Sequence, residues 1–214
     1  MWPGSLAEAR LVQQRLRAKV ITEDRLDSVR IVAGVDAWTE VAGERIWAAA
    51  VALRLSGLEL QESAVVCQPA AAPYVPGFLS LREAPAALAA LQRLRVRPDL
   101  LFVDGQGLAH PRRFGLACHI GLLVSIPAIG VAKSRLIGQY QPPGPDRGEW
   151  TPLADDGETI GAVLRTCSNT RPVFVSVGHR ISLRTAVAYV LLCAPAFRLP
   201  EPIRLADRLS RVFR

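Results

Sequence analysis

Leu100-Leu101-Phe102-Val103-Asp104-Gly105-Gln106-Gly107 decides the fold. Four apolar residues run without a break into an acid and two glycines. An uninterrupted apolar run bounded by turn formers is a strand buried on both faces, central in a parallel or mixed sheet. Open α/β sheets place their chemistry at the carboxyl ends of such strands, where Asp104 stands. The glycines let backbone approach a ligand, and Leu108-Ala109-His110-Pro111-Arg112-Arg113 adds one titratable and two cationic groups. Further on, Ile129-Gly130-Val131-Ala132-Lys133-Ser134-Arg135 reads as a second buried strand that ends in a lysine. An acid and a base delivered to one sheet edge point to a phosphate site.

Working outward, residues 6–20 carry Leu6, Ala9, Val12, Leu16 and Val20 at helical spacing. Residues 30–36 form a strand ending in Asp36. Residues 46–55 and 58–66 are two apolar runs joined at Ser56-Gly57, a hairpin that completes a three-stranded antiparallel unit with the first strand. Pro73-Tyr74-Val75-Pro76-Gly77 is a stiff loop presenting an aromatic ring. A helix follows over 81–94 with Glu83 in its first turns, and another spans about 113–125. Residues 139–157, rich in Pro, Gly and Asp and without periodicity, read as an exposed loop. Residues 159–165 and 172–177 read as an antiparallel pair, 183–193 as a helix. A last helix opens at Pro200-Glu201-Pro202 with Leu205, Leu209 and Val212 as its apolar stripe and Asp207 roughly opposite. No repeat or linker divides residues 1–214, which reads as a single domain.

The chain is 50% apolar, enough to bury a sizeable core, and its net charge of +7 suits an anionic partner. Of its 26 basic residues only Lys19 and Lys133 are lysine. A compact ammonium at a strand end is therefore informative in a chain that otherwise uses arginine. Cys67, Cys118, Cys167 and Cys193 form no C-x-x-C pair and read as reduced thiols, which suits the cytoplasm. Met1-Trp2-Pro3-Gly4 does not begin a signal peptide, and the apolar segment 116–132 is too short and interrupted to span a bilayer.

Asp36 and Asp104 at strand ends, Glu83 early in a helix and Asp207 in the last helix are the acids that stand out. Carboxylates are the hard oxygen ligands of Mg²⁺ and Mn²⁺, and phosphodiester cleavage needs several converging from different elements. Each alone is equally a turn cap or a solvated residue. His110 and His179, in predicted loops, read as proton donors, phosphate contacts or ordinary loop histidines, whereas His119 suits a core. Tyr74 is a stacking or wedge residue, or a turn aromatic covering the core. Neither G-x-S-x-G, a P-loop nor a dinucleotide fingerprint is present.

The segments VAGVD (32–36), PYVPGFLSLRE (73–83), DGQGLAHPRRFGLACHIG (104–121), IGVAKSRL (129–136), VSVGHRIS (175–182) and RLPEPIRLAD (198–207) together resemble the endonuclease V, or deoxyinosine 3′ endonuclease, family. They stand in family order across nearly the whole chain. Departures are few: Val177 replaces a proline often seen before Gly-His, residues 39–44 match no family pattern, and Asp207 stands where some members carry histidine.

The resemblance implies an α/β, RNase H-like fold with a mixed five-stranded sheet flanked by helices. It implies that Asp36, Glu83, Asp104 and Asp207 bind Mg²⁺, for which Mn²⁺ can substitute, and that Lys133 serves the same active site. The expected reaction is hydrolysis of the second phosphodiester bond 3′ to a deaminated adenine, leaving 3′-hydroxyl and 5′-phosphate ends in DNA repair. Pro73, Tyr74, Val75 and Pro76 match the strand-separating wedge and His110 the histidine of the AHPR loop. Gly77, Leu79, Gly105, Gly115 and Leu136 match the pocket for the flipped base. DNA containing inosine is the expected partner, with inosine in RNA or in single strands as the alternative substrate and a monomer as the default. A non-catalytic nucleic-acid-binding module is the remaining alternative, against which the intact set of four acids argues.

Overall fold

The computed structural model describes residues 5–40, 44–70 and 75–212. The chain runs α1 (Leu6–Arg17), β1 (Ile31–Thr39), β2 (Arg45–Arg54), β3 (Glu59–Pro69), α2 (Leu79–Gln92), β4 (Leu100–Asp104), α3 (Leu116–Val124) and β5 (Ala128–Ala132). It continues with β6 (Trp150–Asp155), β7 (Glu158–Leu164), β8 (Val173–His179), α4 (Leu183–Leu192) and α5 (Glu201–Ser210). All eight strands form one sheet in the order β3-β2-β1-β4-β5-β8-β7-β6. β1, β4 and β5 pair in parallel at its centre, and the remaining pairs are antiparallel. The class is the expected RNase H-like α/β architecture, with eight strands in place of five.

The continuous apolar run of β4 follows from its position. Leu100 and Phe102 point to the layer of α4 and α5, where they pack with Val32, Ile129, Val187 and Ile203. Leu101 and Val103 point to the layer of α2 and α3, with Ala84, Ala87 and Ile120. Alternation along a strand sends successive residues to opposite faces, so a strand covered on both sides must be apolar at every position. Each fully buried Leu or Phe contributes about 1.5–3 kcal/mol.

Three expectations are corrected. Residues 139–157 are not all loop, because β6 pairs with β7 across a turn at Asp156-Gly157, both at positive φ. Pro152 within β6 is tolerated because the strand lies at the sheet edge. The helix expected from about residue 113 begins at Leu116, since Arg113 adopts φ +53 and Gly115 caps the helix. In α5 the buried residues are Pro202, Ile203, Ala206 and Ser210, while Val212 is exposed. Leu205 and Leu209 instead flank it against Ala49 and Val51.

α5 comes close to the sheet because β1 carries Gly34. A methyl group there would lie 1.9 Å from the Pro202 carbonyl oxygen. Among the described residues no helix is long and apolar enough to cross a membrane.

Candidate active site

β1 and β4 pair with Val35 opposite Val103, so Asp36, within β1, and Asp104, the last residue of β4, follow one position later on adjacent strands, side by side. The strand expected to end at Asp36 continues to Thr39. Alternation puts both on the face of Val32, Leu100 and Phe102, the face that α5 covers. Lys133 lies two residues beyond Val131, which pairs with Asp104, and therefore shares that face. Asp207 meets them from α5. One oxygen from each of Asp36, Asp104 and Asp207 lies within 4.8 Å of the others.

Lys133 holds this cluster together. Its Nζ donates to Asp104 Oδ2 at 2.6 Å and to Asp207 Oδ1 at 2.7 Å. Arg198 Nη2 donates to the Lys133 carbonyl at 2.8 Å and fixes the backbone from which the lysine projects. Ser210 Oγ donates to Asp36 Oδ2 at 2.6 Å, and Arg211 Nη2 to Asp207 Oδ1 at 2.9 Å. An ammonium already bridging two acids shows that the cluster accommodates positive charge between them. Three hard carboxylate donors so closely spaced fit Mg²⁺ or Mn²⁺.

The electrostatics agree. Burial, then the neighbouring Asp104 charge, pushes the Asp36 carboxyl well above the usual carboxylate range. Glu83, half-buried on α2, is pushed up to about 8 by burial and by the charges of Asp36 and Asp104. It lies outside the tight three-oxygen cluster yet feels two of its members. Burial would also raise Asp207, but the Lys133 and Arg211 contacts outweigh it and hold the carboxyl low. The Lys133 ammonium, which burial disfavours, is raised overall by Asp104 and Asp207. Two carboxyls raised by burial and by neighbouring acids mark this place as a candidate functional site.

The glycine turns gather next to this centre. Gly115 N–H donates to the Gly107 carbonyl at 2.9 Å, and Gln106 Nε2 donates to the Ser134 carbonyl at 3.1 Å. Gly105, Gly115 and the segment leading to Leu136 are thus adjacent. Gly77 joins them through His110, whose Nε2 donates to the Gly77 carbonyl at 3.0 Å. The His110 Nδ1 accepts from Arg112 N–H, so this ring is neutral, and burial and Arg112 depress its pKa to about 4. His110 is therefore a backbone clamp in this geometry. His179 has a similar part, its Nδ1 accepting from Ile21 N–H at 3.3 Å, and His119 is buried as expected. Leu79 opens α2 half-buried, Val75 is half-buried, and Pro76 and Leu136 are exposed. Pro73 and Tyr74 lie outside the described residues.

The endonuclease V family model matches residues 14–208. The chain belongs to the endonuclease V family. It is 53% identical to the endonuclease V of Roseiflexus sp. strain RS-1 over 98% of this chain and 93% of that one. The crystal structure of endonuclease V from Streptomyces avermitilis superposes with a TM-score of 0.94 at 44% identity, covering 98% of this chain and 93% of that one. A Ciona intestinalis endonuclease V, solved with a 23mer DNA containing an inosine followed by a ribo-adenosine, superposes with a TM-score of 0.84 at 27% identity, covering 96% and 95%. Membership of the endonuclease V family makes this protein a nuclease.

Several supporting contacts escaped sequence reasoning. Ser210 and Arg211 support the acids, Arg198 supports the backbone of Lys133, and Gln13 with Arg112 supports Gly77. None belongs to an apolar period. Only the spacing of Asp207 to Ser210 and Arg211, three and four residues along one helix, could have marked two of them as neighbours.

Proposed function

We propose that this chain is a metal-dependent endonuclease that recognises deoxyinosine in DNA. It would hydrolyse the second phosphodiester bond 3′ to the lesion and leave 3′-hydroxyl and 5′-phosphate ends. The supporting observation is the convergence of Asp36, Asp104 and Asp207 around a lysine ammonium at the carboxyl edge of parallel strands. Those three would hold the ion, with Glu83 completing its surroundings. When bound, Mg²⁺, or Mn²⁺ in its place, supplies positive charge to the phosphate oxygens and acidifies water. Lys133 orients the attacking water or stabilises charge developing on the phosphate. Ser210 keeps Asp36 aimed inward, and Arg198 holds Lys133 at its station.

Tyr74, between Pro73 and Val75-Pro76, would occupy the space the flipped base vacates. Gly77, Leu79, Gly105, Gly115 and Leu136 would read that base through backbone groups, with His110 holding Gly77. The setting is cytoplasmic DNA repair by a monomer. Nicking of matched strands carrying inosine, uracil, an abasic site or no lesion tests this with Mg²⁺, Mn²⁺ and EDTA. The inosine strand alone is cut, only with metal, and Asp104→Ala loses on the order of 10³-fold in rate while still binding it. Full cutting by Asp104→Ala would defeat the assignment.

Inosine in RNA is a second substrate class, favoured by the ribo-adenosine beside the inosine in the Ciona complex. Cleavage rates on otherwise identical inosine RNA and DNA strands separate the two.

A further inference from the structure

The buried face of α1 centres on a polar side chain. Gln13 is 1% exposed, at a place where an amphipathic helix would ordinarily carry an apolar residue. A carboxamide buried there without partners would cost about 1–3 kcal/mol. Here Nε2 donates to the Gly77 carbonyl at 3.1 Å and lies 3.5 Å from the Phe114 carbonyl. Oε1 accepts from Arg112 Nε.

The Gly77 carbonyl does not need Gln13 in order to be satisfied. It also accepts from His110 Nε2 and Arg112 Nη2, which already match its two lone pairs. What Gln13 adds is orientation. The opposite edge of the same peptide is also committed, since Phe78 N–H donates to the Val75 carbonyl at 2.9 Å. Gly77 takes φ +79, a backbone shape that glycine alone adopts freely, and the Arg112 guanidinium lies 4.2 Å over the Phe78 ring. The turn at residues 75–78 is thus locked from three directions, one of them a helix more than sixty residues earlier in the chain.

We infer that Gln13 is a positioning residue for base recognition: through Gly77 and Arg112 it sets the pose of the turn that follows Tyr74. This rests on the assignment of Gly77 to the base pocket above. Gln13 touches neither the acids nor Lys133 through any of these bonds, so recognition and hydrolysis separate on mutation.

Gln13→Leu removes both bonds, and Gln13→Glu keeps an acceptor for Arg112 but turns an oxygen toward the Gly77 carbonyl. In both variants KM for the inosine strand rises about tenfold while kcat stays within about twofold, the scale of one lost buried hydrogen bond. Mn²⁺ affinity, measured by calorimetry, stays unchanged. Amide exchange at Phe78 quickens about tenfold or more while that at Phe102 in the central strand does not. An unaltered KM, or a joint loss of KM, kcat and Mn²⁺ affinity, overturns the inference. A wild-type protein that fails to nick inosine strands overturns the proposed function instead. Exchange at Phe78 then still decides the clamp, and unchanged protection there refutes it.

Discussion

A single hydroxyl opposes the upward shift of the Asp36 carboxyl. Ser210, wholly buried, donates to Asp36 Oδ2 and so favours the ionised form that a cation requires, against burial and the Asp104 charge. Ser210→Ala should therefore weaken Mn²⁺ binding about tenfold or more, as expected for about 1.5–3 kcal/mol of lost hydrogen bonding to a charged group. Calorimetric titration checks this, and an affinity equal to wild type would show the bond to be incidental. Asp36 and Asp104 were legible in the sequence because each closes an apolar run, although β1 itself continues past Asp36 to Thr39. Ser210 was not, because nothing local distinguishes a serine that faces a carboxylate 174 residues away from one that faces water.

At the scale of elements, the seat of α5 on β1 determines whether Asp207 reaches the other acids. Gly34 permits that seat, for a methyl group there would collide with the backbone of Pro202. Backbone cannot rotate aside as a side chain can, so Gly34→Ala should destabilise the fold by about 1–3 kcal/mol or more and displace Asp207. Denaturant unfolding measures the first effect and nicking rate the second. An unchanged unfolding midpoint would mean that α5 is not packed as described. Most elements were legible from apolar patterning, including β1 to β5, the β7–β8 pair and the helices. β6 was missed because an edge strand with one buried residue and a proline lacks that pattern. The Asp156-Gly157 dipeptide between Trp150-Thr151 and Thr159-Ile160 was its signal, a favoured hairpin turn.

At the scale of the whole molecule, the acid cluster couples stability to pH and to metal. Glu83 is raised to about 8 from its ordinary 4.5, and Asp36 shifts the same way. A carboxyl whose folded-state pKa exceeds its unfolded one stabilises fully at low pH and ceases to as pH climbs through the folded value. Without metal, stability should thus fall between about pH 6.5 and pH 8.5. The buried His110 and His119, lowered from 6.5 to about 4, act in the opposite sense, losing stability only as pH drops below that window. A bound cation requires the ionised acids, so the rise in Tm given by Mg²⁺ should grow across the same range. Melting curves in EDTA and in Mg²⁺ at the two ends of the window test both signs. A metal-free Tm that climbs toward pH 8.5 would contradict the picture.

The sequence by itself determined the α/β class, the buried central strands and the family, and it marked the four acids and the lysine as candidates. These are written in local composition: apolar runs, turn residues and motifs carry their meaning within a few positions. Only the tertiary structure decided the eight-stranded extent of the sheet, the nearness of Asp36, Asp104 and Asp207, the place of Glu83 beside rather than within that cluster, and the inward turn of Gln13. Those depend on strand register and on how a helix lands across a sheet, where groups far apart in the chain share one low-dielectric space. No pattern along the chain encodes which polar side chain will find its partner there.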